Sequence, residues 1–140
     1  MGVKMKHIFG VFLALFVVGG AYAETATVKE VIDGDTIKVT MVDSEGNDVV
    51  KEVRLANSDS PEMGLGCDSS KQLAKRAQAR AKALMPQGAK VQLKNVKDDE
   101  FTNRIDANVI LSDGRDVGAI LIKENLAHSF DGKKRASWCK

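Results

Sequence analysis

Along the chain, apolar and polar positions alternate in short periods that change character three times. The longest apolar run, Ile8 to Val18, is interrupted only by Gly10. Beyond it, Thr25–Ile32 has loosely spaced apolar positions at Ala26, Val28 and Val31, and predicts an extended segment. Asp33-Gly34-Asp35 is a turn, and Thr36–Val42 alternates cleanly as a second strand. The turn formers of Asp43–Asp48 lead into a third strand built on Val49, Val50 and Val53-Arg54-Leu55, with Arg54 at its end. Polar residues then break the pattern, and Pro61 holds Ser60 out of the helical region. Asp59 and Glu62 are therefore expected on an open loop just past that strand.

From Ser69 to Met85 the period lengthens. Leu73, Ala77, Ala81, Leu84 and Met85 form a stripe at helical spacing, with Asp68, Ser69 or Ser70 to cap its start and Gly88 after its end. The stripe reads as core packing. Lys90–Val96 predicts a fourth strand, followed by the acidic loop Lys97–Asn103. Arg104 opens a fifth strand through Val109, Ile110 and Leu111, closed by Ser112-Asp113-Gly114. Val117, Ile120, Leu121 and Leu126 mark a second helix, ended by Asn125, which tolerates a left-handed position.

This order is not a βαβ alternation, so a parallel sheet is not expected. It predicts an α+β, mainly β domain. The architecture is a five-stranded OB-type barrel, with a helix between strands 3 and 4 and a C-terminal helix. Such barrels bind oligonucleotides and oligosaccharides, but the fold alone does not settle function.

The first residues read as an address label. Lys4 and Lys6 precede the apolar run, and Ala21-Tyr22-Ala23 is a small-x-small cleavage site. The run is too short to span a bilayer comfortably. Residues 1–23 are thus expected to be a signal peptide cleaved after Ala23, and 24–140 a single domain. The product would be periplasmic or secreted, with no stable membrane association. The formal excess of two positive charges is Lys4 and Lys6, so the remainder is neutral and a generic basic nucleic-acid binder is not indicated. Basic residues still cluster, at Lys71, Lys75, Arg76, Arg80 and Lys82 on the first helix and at Lys133-Lys134-Arg135 in the tail. Cys67 and Cys139 are an even pair, and in an oxidising compartment they read as one disulfide. Closing so long a loop contributes roughly 4 kcal/mol in the chain-entropy picture. A two-cysteine metal site is disfavoured, because His128 is the sole histidine after residue 23 and no Cys-x-x-Cys spacing exists.

Arg54 to Glu62 holds one guanidinium and two carboxylates within nine residues. Taken alone, an arginine beside two acids is ordinarily a plain ion pair. In wider context, Val31 to Val39 around Asp33-Gly34-Asp35, followed by Arg54-Leu55 and Asp59-Ser60-Pro61-Glu62, resembles the staphylococcal-nuclease-like (thermonuclease) family. Arg104 with Ala107 and Val109, then Gly114 and Leu121 to Ala127, resembles its second half. Phe130 to Cys139 resembles the exported bacterial branch, with phenylalanine in place of its tyrosine.

That resemblance implies an exported, monomeric, Ca²⁺-dependent endonuclease that hydrolyses DNA and RNA with little sequence preference and leaves 3′-phosphates. Asp35 and Asp59 are hard oxygen ligands suited to Ca²⁺, and the resemblance assigns a third ligand to the Ser60 carbonyl. Arg54 and Arg104 are planar forks able to grip phosphate oxygens. The resemblance makes Glu62 the candidate general base for the attacking water; the same carboxylate could instead orient that water or hold an arginine. Ahead of Arg104 the family pattern of an acid, a base, tyrosine and glycine is replaced by Glu100, Phe101, Thr102 and Asn103. Asn103 can stand in for glycine if a left-handed backbone is needed. The other readings are an OB-fold nucleic-acid-binding module with weakened catalysis, or a disulfide-tied structural domain that only holds Ca²⁺.

Overall fold

The computed structural model describes residue 2 and residues 24–98 and 102–139. The expected signal peptide therefore falls outside the described residues apart from Gly2, and so do Glu100 and Phe101.

Five strands close into a barrel, β1 (Glu24–Asp33), β2 (Thr36–Val42), β3 (Asp48–Leu55), β5 (Lys90–Asp98) and β6 (Arg104–Leu111), in the order β1-β2-β3-β6-β5. All neighbours run antiparallel except β3 and β6, whose parallel pairing closes the ring. Alternation makes the interior. Ala26 and Val28, Ile37 and Val39, Val53 and Leu55, Val91 and Leu93, and Ile105 through Leu111 at every second position are all buried. This is the expected α+β, OB-type barrel.

Helix α1 (Asp68–Leu84) lies between the third and fourth barrel strands, and α2 (Val117–Lys123) follows the fifth. Helix α1 buries Ala74, Ala77 and Ala81, and these small side chains let its axis approach the barrel closely. Ala74 joins the expected stripe, whereas Leu73 and Leu84 are only partly buried. The expected cap residues do not cap: Cys67 takes that position in extended conformation, without a side-chain hydrogen bond. Helix α2 ends earlier than its apolar spacing indicated. Asn125 beyond it is left-handed at φ 59°, and the chain reverses there to bury Leu126. Asn103 is not left-handed; Asn95, at φ 54°, is.

Asp59 is not on an open loop. Ser58–Asp59 forms β4 and pairs antiparallel with β7 (His128–Ser129), joining Ser58 to Ser129 and Asp59 to His128. A two-residue strand has no period to read in the sequence, and its partner comes from the far end of the chain.

Cys67 and Cys139 form the expected disulfide across 72 residues, with Cα atoms 6.0 Å apart. Beside it the Trp138 ring lies flat on His128, with centroids 3.5 Å apart. No helix among the described residues is long and apolar enough to cross a membrane.

Candidate active site

The antiparallel register places Thr36 opposite Arg54, and the Leu55 N–H donates to the Asp35 carbonyl at 2.8 Å. The turn that carries Asp35 is thereby fixed to the end of β3 that carries Arg54. Arg54 Nη2 donates to Asp59 Oδ1 at 3.0 Å and reaches Asp35 Oδ2 at 3.5 Å. Thr36 Oγ1 donates to the other oxygen of Asp35 at 2.9 Å, and the Ser60 N–H donates to Asp35 Oδ2 at 3.0 Å. Arg54, Asp35, Asp59 and Ser60 are all buried.

Residues 59–63 wrap the turn of residues 33–35. The Ser60 N–H holds Asp35, and the Met63 N–H holds Asp33 at 3.1 Å. The wrap is tight because of Gly34. A Cβ there would lie 2.7 Å from Ser60 Oγ and 2.8 Å from Ala77 Cβ, so turn, wrap and α1 meet at a position with no room for a side chain.

Burial raises the Asp59 carboxyl above its ordinary range, and the like charge of Asp35 adds to this. Arg135, Arg54 and His128 pull it back only in part. Asp33 is raised as well, by burial first, with Asp35 and Glu62 contributing against the Met63 hydrogen bond and Arg54. Glu62 is thus close enough to be felt at Asp33, while its own side chain is exposed.

In front of Arg54 lies an open groove of about 530 Å³, lined among others by Arg54, Lys97, Arg104, Phe130 and Arg135. The parallel β3–β6 register builds its floor by pairing Glu52 with Arg104 and Arg54 with Asp106. Arg104 Nε is 3.8 Å from Glu52 Oε1, too far for a hydrogen bond. Among the described residues, the buried Nε atoms of both Arg54 and Arg104 have no hydrogen-bond partner. Two guanidinium carbons lie over the Phe130 ring at cation–π distance, 5.7 Å from its centroid for Arg54 and 5.6 Å for Arg135.

The expected residues are therefore grouped unevenly. Arg54, Asp35, Asp59 and Ser60 touch directly. Arg104 shares the groove with Arg54, and Glu62 lies on the flank beside Asp33. Other groove residues, among them Lys97, Phe130 and Arg135, carry no site assignment from the sequence. The one signal for Phe130 and Arg135 is the Cys67–Cys139 pair, which brings the tail to this face.

Two carboxylates with backbone carbonyls and water form an all-oxygen set, suited to a hard divalent cation. Among the described residues no third Asp, Glu, His or Cys joins Asp35 and Asp59 in a metal-holding group. The like charges of Asp35 and Asp59, buried together and sharing the Arg54 guanidinium, fit a cation at this position. No protein-family model matches the chain, and no curated protein does either.

Proposed function

We propose that the protein is a Ca²⁺-dependent nuclease that hydrolyses phosphodiester bonds of DNA and RNA in the Arg54–Arg104 groove. One observation carries this reading: the two arginines that share the groove each keep a buried guanidinium N–H without an acceptor. A buried unsatisfied donor costs about 1–3 kcal/mol. A phosphate oxygen at each arginine would remove that cost and neutralise charge on both sides.

In this reading Arg54 and Arg104 bind the phosphate and stabilise the charge that grows on its equatorial oxygens. Glu62, exposed on the flank beside Asp33, takes a proton from the attacking water. The new P–O bond forms as the bond to the 5′ oxygen breaks, leaving a 3′-phosphate on one product and a 5′-hydroxyl on the other. Asp35, Asp59 and the Ser60 carbonyl would hold Ca²⁺, which supplies Lewis-acid polarisation of the phosphate. The disulfide favours an oxidising compartment, periplasmic or extracellular, and we take the chain to act there as a monomer.

The test uses mature protein, from residue 24, with single-stranded DNA and with RNA, in Ca²⁺ or chelator. Cleavage in Ca²⁺ that falls at least a hundredfold in Arg54→Ala and Glu62→Gln is the expected result. Binding without cleavage would leave an OB-fold nucleic-acid-binding module instead, and neither would leave a structural domain.

A further inference from the structure

We propose that Arg135 is a third phosphate-binding cation of this groove, presented to substrate by the tail that the disulfide fastens. The inference rests on the nuclease reading and adds a residue to it.

Arg135 lies outside the strands and helices, in a tail segment with no ladder to hold it. Its position is nonetheless defined by three contacts. Its guanidinium lies over the Phe130 ring, it lines the same groove as Arg54 and Arg104, and its Nη1 is 3.9 Å from Asp59 Oδ1. The third contact is weak by distance. It also shares an acceptor that Arg54 already holds at 3.0 Å. Two guanidinium groups thus lie near one ring and draw on one carboxylate, and the groove lining carries the cations Arg54, Lys97, Arg104 and Arg135 against the acids Asp106 and Asp131.

Half of the Arg135 side chain is exposed, at 47 %, whereas Arg54 is at 9 %. Arg54 is fixed by its neighbours; Arg135 is free to turn about its stem toward an incoming anion. A phosphodiester lying along the groove offers the acceptor that this arrangement lacks. The disulfide at Cys139 and the Trp138–His128 stack anchor the chain just past Arg135. Among the described residues, the Phe130 contact and the long Asp59 contact are what otherwise hold the residue over the groove.

The experiment compares wild type with Arg135→Ala and Arg135→Lys, each alone and in a Cys67→Ser/Cys139→Ser background. Steady-state cleavage of a single-stranded oligonucleotide gives KM and kcat. Binding of the same labelled oligonucleotide in chelator over a salt series gives the number of phosphate contacts. Arg135→Ala should lower kcat/KM about tenfold, carried mainly by KM, and flatten the log–log salt dependence by about 0.7. Arg135→Lys should restore the salt slope, and Arg135→Ala should have less than a threefold effect once the cysteines are replaced. Unchanged KM and salt slope in Arg135→Ala, in a wild type that cleaves, would overturn the inference and leave the nuclease reading standing. A full Arg135→Ala effect without the disulfide would overturn the tethering. A wild type that neither cleaves nor binds the oligonucleotide would sink the nuclease reading, and this inference with it.

Discussion

Arg54 Nη2 lies 3.0 Å from Asp59 Oδ1, and both side chains are more than nine-tenths buried. With Asp35 at 3.5 Å, one cation is shared between two buried acids. Breaking a buried pair from one side is costly, because it strands an unpaired charge.

Arg54→Ala should therefore destabilise the protein by about 3–5 kcal/mol in chelator. Ca²⁺ should recover part of the loss, since a cation at Asp35 and Asp59 would replace the missing charge. Urea unfolding with and without Ca²⁺ measures both. An equal loss in the two conditions would count against cation binding there.

The raised Asp59 carboxyl has a consequence for pH. Its folded value lies above the ordinary 3.8, chiefly from burial, so the folded protein takes up this proton at a higher pH than the unfolded chain does. The sign follows: Asp59 adds stability as pH falls through its raised folded value, and the gain is complete below about 3.8. In Asp59→Asn this contribution is absent. The stability difference between wild type and variant, from urea titrations in chelator, should shift toward wild type as pH drops from 7 to 4. A flat difference would refute the assignment.

Opening the disulfide should remove about 4 kcal/mol of unfolding free energy. Trp138 is the one tryptophan of the chain and lies against His128 one residue before Cys139, so its fluorescence reports the tail. We expect Cys67→Ser/Cys139→Ser to change the Trp138 emission in urea-free buffer, while the far-ultraviolet circular dichroism of the barrel persists.

Gly34→Ala tests the tight wrap. Its new methyl would press on Ser60 and Ala77, and overpacking of this kind costs about 1–3 kcal/mol. Displacing Ser60 also displaces its N–H from Asp35, so Ca²⁺ affinity should fall along with stability. Isothermal titration separates the two, and a variant that binds Ca²⁺ as wild type would show that Ser60 has no part in the site.

How much of this was legible in the sequence depended on the range of the forces involved. Thr36–Val42 and Arg104–Leu111 match the expected strands end to end, because alternation is local and one buried face fixes it. The cap of α1 was missed because a half-cystine at that position is chosen by its distant partner, not by capping chemistry. Asp59 was expected on an open loop, and it lies in a two-residue ladder whose partner is about seventy residues downstream. For the same reason Phe130 and Arg135 are signalled as groove residues only indirectly, through the cysteine pair that fastens the tail. Nothing in Asp131-Gly132-Lys133-Lys134-Arg135 itself distinguishes a groove cation from a solvated tail.

The parallel ladder that closes the barrel joins Glu52 to Arg104 and Arg54 to Asp106. In each pair 52 residues separate the partners, and pairing over such distances is the slow part of β-barrel assembly. Until it forms, Arg54 and Arg104 belong to two unconnected edges with no groove between them. A ribosome-bound or half-threaded chain would then be chemically silent. Its two arginines become a single instrument only when the last seam of the barrel is sewn.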